Sequence, residues 1–241
     1  MMSRKSMLKY MVSTIAVVSF SSTVQAEHHF HTPYIGIEAI QTNQNFAVDY
    51  GKNIFYKNPQ NYGVLAGIKF YQGLGVEVGY EFQPKQTQDY TVFAGQQEPG
   101  GSPLIGNESE AGTAAYKAKH PYIGLTAEYR SDFNVGKGKL KLQALIGASA
   151  TRVTAYNTRL VVDGTIQVPP DVHTYSRRRL VPMARVAAYC NLTSDLIFGL
   201  SVHYRNMSKF KIISAQVEPT YTIKMKDAIG IGAAFIYQFK F

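Results

Sequence analysis

The chain has 241 residues, a formal charge of +9, one cysteine and no tryptophan. That length suits a single all-β barrel as well as two small domains. The lone Cys190 excludes an intramolecular disulfide and reads as a small apolar filler.

Arg4, Lys5 and Lys9 precede an uncharged apolar run over 11–20, and Val24-Gln25-Ala26 then places small residues at a cleavage site. This three-part pattern predicts a secretory leader over 1–26, with the mature chain starting at Glu27. Loss of Arg4, Lys5 and Lys9 leaves about +6. Export argues against nucleic acid as the partner of that charge, and an anionic membrane surface or lipopolysaccharide phosphate fits better. After the leader, the longest run without Asp, Glu, Lys, Arg or His is 228–239, too short to span a bilayer as a helix. Tyrosine (17) and phenylalanine (13) are nonetheless plentiful, as in a barrel whose strands face lipid on one side and a polar lumen on the other.

Period-two alternation recurs along the mature chain. Over 34–42, Ile35, Ile37 and Ala39 would face out and Glu38 in. Over 62–71, Val64, Ala66, Ile68 and Phe70 face out and Lys69 in. Over 74–82, Leu74, Val76, Val78, Tyr80 and Phe82 alternate with Gly75, Glu77, Gly79 and Glu81. Over 120–130, Ile123, Leu125, Ala127 and Tyr129 face out and Glu128 in. Over 140–151, Leu142, Ala144 and Ile146 oppose Lys141, Gln143 and Gly147. Over 180–192, Ala184, Val186, Ala188 and Cys190 face out and Arg185 in. Over 196–205, Phe198, Leu200 and Val202 alternate with Gly199, Ser201, His203 and Arg205.

The last run, 228–241, is the cleanest: Ile229, Ile231, Phe235, Tyr237, Phe239 and Phe241 share one face, while Gly230, Gly232, Gln238 and Lys240 share the other. Pro121 and Pro182 fall inside two of the runs and are expected near strand ends or bulges, since each removes a ladder donor. Short links alternate with long segments at 43–61, 83–119, 155–176 and 206–225. The expected fold is all-β: an eight-stranded antiparallel up-and-down transmembrane β-barrel over 27–241, with four long extracellular loops and both termini periplasmic.

Tyr34-Ile35-Gly36-Ile37-Glu38, Leu74-Gly75-Val76-Glu77-Val78-Gly79-Tyr80 and the terminal Phe241 resemble the small eight-stranded outer-membrane barrels. That group includes the OmpA transmembrane domain and the opacity-type surface antigens. The resemblance covers the mature chain and rests on patterns more than on fixed residues. No segment similar to the peptidoglycan-binding domain of OmpA is expected. The resemblance implies that Phe239 and Phe241 act as an assembly signal for the barrel-assembly machinery. It also implies a surface-exposed structural, antigenic or adhesin-like scaffold that meets a host surface or matrix component.

The predicted lumen carries Glu38, Glu77, Glu81, Glu128, Lys69, Lys141, Arg185, His203 and Arg205. Eight strands leave an interior that side chains fill, so these charges are expected to pair, with Arg185 central to Glu38, Glu77 and Glu81. A narrow porin-like channel gated by exchange of those pairs is one alternative function. A lipid-A-modifying enzyme is another, although Ser201 and His203 face the lumen rather than lipid, and Ser208 lies beyond them. A soluble lipocalin-like binder is a third.

His28, His29 and His31 read as a solvated tail, so no metal and no cofactor is expected. Arg152, Arg159, Arg177, Arg178, Arg179, Lys209, Lys211, Lys224 and Lys226 fall at or beyond the outer rim. Guanidinium groups bind phosphate bidentately, so this rim is expected to face lipopolysaccharide.

Overall fold

Alternation of apolar and polar residues along an extended chain puts the two sets on opposite faces of a sheet. In this chain the apolar set faces outward. The computed structural model describes residues 32–48, 55–71, 73–92, 109–135, 138–163, 166–167, 171–208, 210–214 and 221–239. Among them are the strands β1 (Thr32–Val48), β2 (Gln60–Tyr71), β3 (Leu74–Val92), β4 (Ser109–Val135), β5 (Gly138–Asp163), β6 (Ile166–Gln167), β7 (Asp171–Asn191), β8 (Leu196–Asn206), β9 (Lys211–Ser214) and β10 (Tyr221–Gln238). Eight of these form the wall in the order β1-β2-β3-β4-β5-β7-β8-β10, and β10 pairs back to β1. Neighbours are antiparallel throughout. The two-residue β6 adds to β5, and the four-residue β9 adds to β10.

The register shows how the barrel closes. Cross-strand partners lead from Tyr34 through Gly67, Glu77, Gly124, Gly147, Met183, Arg205 and Ala228 back to β1 at Gln44, a stagger of ten residues. Such a stagger means tilted strands and a narrow interior. The leader, the His tract, Lys240 and Phe241 lie outside the described residues.

Each predicted strand forms with the predicted parity. Ile37, Leu125 and Ile231 are 61%, 68% and 67% exposed on the outer wall, while Glu38, Thr126 and Gly232 beside them are buried. A continuous apolar exterior over a polar interior is the transmembrane form of the barrel. Its short links are tight. Gly73 adopts φ +84°, and its carbonyl accepts the Glu128 amide at 2.9 Å. A Cβ there would lie 2.5 Å from the Glu128 carbonyl oxygen, so the turn requires glycine. Thr193 Oγ1 accepts the amides of Asp195 and Leu196 in the link between β7 and β8.

The structure corrects two expectations. The ladders continue well into the segments expected as loops: β1 to Val48, β3 to Val92, β4 from Ser109, β5 to Asp163 and β7 from Asp171. In this upper zone the alternation is inverted. Tyr116, Ala118, Val153, Ala155 and Val181 point inward and are buried, while Lys117, Lys119, Arg152, Thr154, Ser176 and Arg178 lie on the outer wall. The inner residues join Phe55, Met207, Phe210, Met225 and Ala228 in an apolar cluster that caps the lumen. Sequence periodicity tuned to oily outer faces misses strands whose outer face is wet.

The second correction concerns the prolines. Neither lies at a strand end or a register shift. Pro121 sits inside β4, where its carbonyl accepts a 3.0 Å bond from Ser149 Oγ. Pro182 sits inside β7, one residue above the last β7–β8 partner, Met183. Each proline falls where one ladder lapses: Pro182 beyond the last β7–β8 partner, and Pro121 where β4–β5 pairing passes from Lys119 to Tyr122.

Candidate functional site: the lumen network and the outer basic rim

The lumen is built around the Glu77 carboxylate, to which three elements bring donors. Arg185 Nη2 from β7 lies 2.7 Å from Glu77 Oε2. The hydroxyls of Tyr34 from β1 and Tyr122 from β4 donate to the two Glu77 oxygens at 3.0 and 2.8 Å. Arg185 Nη2 also donates to Gln143 Oε1 at 3.0 Å, and Tyr189 reaches the same oxygen at 3.4 Å. Arg185 is 2% exposed and Glu77 fully buried, so the pair is held by hydrogen bonds rather than by solvent.

Each of the three tyrosines lies across a glycine. Tyr34 pairs with Gly67, Tyr122 with Gly79 and Tyr189 with Gly199. A Cβ at these glycines would sit 2.3, 2.4 and 2.1 Å from the opposing rings. The small inward residues therefore mark where a ring lies across the neighbouring strand and reaches the barrel axis.

A second pairing stands above the first. Arg205 binds Glu81, where the expected partner was Arg185. The ten-residue stagger accounts for this: it lifts β8 relative to β3, so that Arg205 meets Glu81 while Arg185 meets Glu77. Glu38 lies 3.8 Å from both Arg185 Nη1 and His203 Nε2, and neither of its oxygens has a hydrogen-bond donor. His203 Nδ1 is 4.0 Å from Glu81, and its Nε2 contacts Ser201 Oγ at 2.8 Å. Below the centre Lys69 binds Glu128, which also faces Arg130 at 3.7 Å. Lys141 joins Lys69, Glu128, Gln143 and Tyr189 around a lower recess. An upper recess is lined by Thr42, Asn61, Gln83, His120 and Arg205. Each has room for about one water molecule.

Tyr34, Tyr122, Tyr189 and Gln143 were missed from sequence as members of the network. Their inward parity was legible, but their convergence on Glu77 and Arg185 depends on register, which alternation does not encode.

On the outer wall Arg152, Arg178 and Lys211 are exposed, as expected of a rim, while Arg177 and Arg179, also exposed, stand on the inner face of β7 opposite Val153 and Thr151. Lys209 and the Arg159 side chain lie outside the described residues. Register sorts the rim further. Lys119 pairs with Arg152, and Arg152 pairs with Arg178, so three exposed cations stand side by side on β4, β5 and β7. Lys119 was expected in a loop and was missed. At the opposite end Phe239 packs edge-on against Tyr237 at 5.1 Å, and its amide donates to the Pro33 carbonyl at 3.0 Å.

Among the described residues no group of His, Cys, Asp and Glu could hold a metal. Ser201 and His203 do meet, but inside the closed lumen, 5% and 3% exposed.

The fold and its filled lumen define a class, the small eight-stranded transmembrane barrels. No family model matches the chain, and no curated protein matches it. Among solved structures it is similar to Ail, the attachment invasion locus protein of Yersinia pestis, at 13% identity and TM-score 0.41, over 87% of this chain and 100% of that one. It is similar to the outer-membrane protein OprG of Pseudomonas aeruginosa at 10% identity and TM-score 0.45, over 89% and 99%. Neisserial surface protein A matches at 11% identity and TM-score 0.42, over 86% and 97%. At these values the likeness is one of fold alone.

Proposed function

We propose that this chain is an integral outer-membrane barrel that works as a rigid, closed scaffold for its surface segments. One observation carries the reading: the lumen is filled at two levels, by the Arg185–Glu77 network and by the apolar cap above it. A barrel so filled offers solutes no path, which leaves the outer connections as the working surface. Their partner would be a host surface or matrix component. In this reading both termini are periplasmic, and Phe239 with Phe241 forms the signal for the barrel-assembly machinery. No enzyme activity is assigned, because Ser201 and His203 meet where no acyl chain in the membrane reaches them.

Protease shaving of intact cells tests the reading. Cleavage between β3 and β4 with a protected, detergent-extractable barrel is expected; an uncleaved protein released without detergent overturns it.

Glu38 favours a second reading, a gated narrow channel. It stands 3.8 Å from Arg185 with no hydrogen-bond donor of its own, ready to take the guanidinium from Glu77. Planar-bilayer recordings separate the two readings. Silent traces from the wild type and from Arg185→Ala leave the closed scaffold; discrete openings in either support the channel.

A further inference from the structure

The row Lys119–Arg152–Arg178 stands where the wall changes character. Below it on the same strands, past Pro121 on β4 and Ala150 and Ala148 on β5, the outer face is apolar: Ile123 on β4, Ile146 on β5 and Leu180 on β7 are 58%, 63% and 64% exposed. Above it the outer face carries Lys117, Thr154 and Ser176, aligned across the same three strands. Arg152 Nε donates to Ser176 Oγ at 3.2 Å, which holds its guanidinium along the wall. Lys85 and Lys117 lie over the Tyr156 ring at 5.0 and 5.4 Å, adding charge beside the row.

Like charges directly opposite across a strand pair repel. The described segments 113–121, 148–156 and 174–182 contain no Asp or Glu to offset them. On the opposite side of the barrel the paired outer residues Gln41 and Gln60 are uncharged, and the exposed Lys226 stands next to Asp227. Three facing cations with no acidic residue beside them on their own strands therefore stand above an oily wall.

We propose that Lys119, Arg152 and Arg178 form a binding site for the phosphorylated headgroup of an outer-leaflet glycolipid, lipid A, whose acyl chains lie on the wall below through Ile123, Ile146 and Leu180. This rests on the membrane reading given above. The forked guanidiniums of Arg152 and Arg178 bind phosphate oxygens in pairs, and the Lys119 ammonium adds a point charge. A soluble polyanion would use the cations without the oily wall; lipid A uses both.

The test compares three folded proteins in nonionic detergent by native mass spectrometry with added diphosphoryl lipid A: wild type, K119Q/R152Q/R178Q, and the control K57Q/R130Q/K139Q, which removes equal charge from exposed positions outside the basic rim. The triple variant is expected to lower lipid A affinity on the order of 100-fold, and the control by less than about threefold. Dephosphorylated lipid A is expected to reproduce the loss on the wild type and to add nothing on the triple variant. R152Q alone, which leaves the wall otherwise intact, is expected to give a partial loss.

Equal retention by the triple variant and the control overturns the site. So does a triple variant that loses a sulfated glycan fragment while keeping lipid A, since the row would then read soluble polyanions. A wild-type protein that stays soluble without detergent overturns the membrane reading itself. A membrane-embedded protein with equal retention in all arms overturns the site alone.

Discussion

The lower and upper halves of this barrel bury opposite kinds of surface. Below the Lys119–Arg152–Arg178 row the wall is apolar outside and charged within; above it the wall is polar outside and apolar within. One continuous set of strands thus obeys two solvents. What stays constant is backbone satisfaction, since every wall strand pairs on both sides through the lower half. What changes is the side-chain partition, which follows the medium at each height. The lower core is held by ion pairs and hydrogen bonds, with inward apolar residues such as Leu65, Leu145, Ile197 and Ile236 packed around them. The upper core is held by apolar burial in the manner of a soluble protein.

The sharpest way to break that comparison is to remove the lower core's central cation. Arg185→Ala leaves Glu77 and Glu38 buried together, and a loss of about 3–5 kcal/mol is expected in urea unfolding from lipid vesicles. A loss below 1 kcal/mol would mean that water enters the lumen and replaces the guanidinium.

A lysine on the outer wall asks the same question of the exterior. Leu125→Lys, in the oily zone, is expected to cost roughly 2–4 kcal/mol. Thr87→Lys, above the boundary and opposite Ala115, is expected to stay within about 0.5 kcal/mol. Equal costs would erase the boundary between the zones.

Gly79→Ala probes the packing of the lower core. Its methyl group would fall 2.4 Å from the Tyr122 ring, and overpacking of this kind costs roughly 1–3 kcal/mol. Loss of the Tyr122 hydroxyl resonance from its buried environment should accompany it; an unchanged spectrum would show that the ring has room to spare.

The smallest effect has the opposite sign. In nonionic detergent without added anion, K119Q/R152Q/R178Q is expected to stabilise the barrel by up to about 1 kcal/mol, by relieving like charges across two strand pairs. Molar salt should give the wild type a similar gain and the variant little, since these charges are exposed and screened. Destabilisation by the triple variant would show that the row already has anionic partners within the chain.

The eight strands and their parity were legible because a lipid-facing wall writes an oily residue at every second position, as Ile229 to Tyr237 do in β10. The lumen's charged members followed from the same parity. The pairing of Glu81 with Arg205, and the convergence of Tyr34 and Tyr122 on Glu77, did not, because they depend on a ten-residue stagger that only register reveals. The upper strands escaped for a related reason. Tyr116, Ala118 and Val153 alternate with polar residues as regularly as the lower wall does, but with the faces exchanged, so they resemble connections to a reading that expects oil outside.

The tyrosine–glycine pairs have a consequence for how such a chain can vary. Position 79 is bound to position 122, 67 to 34 and 199 to 189, because each ring occupies the volume its partner leaves empty. In a lineage of such barrels these positions would change as couples. A glycine could gain a side chain only after the facing ring had shrunk, and a ring could be lost only at the expense of the Glu77 or Gln143 bond it supplies. The surface segments carry no such debt to the lumen, so recognition can diversify while the six coupled positions hold the interior fixed.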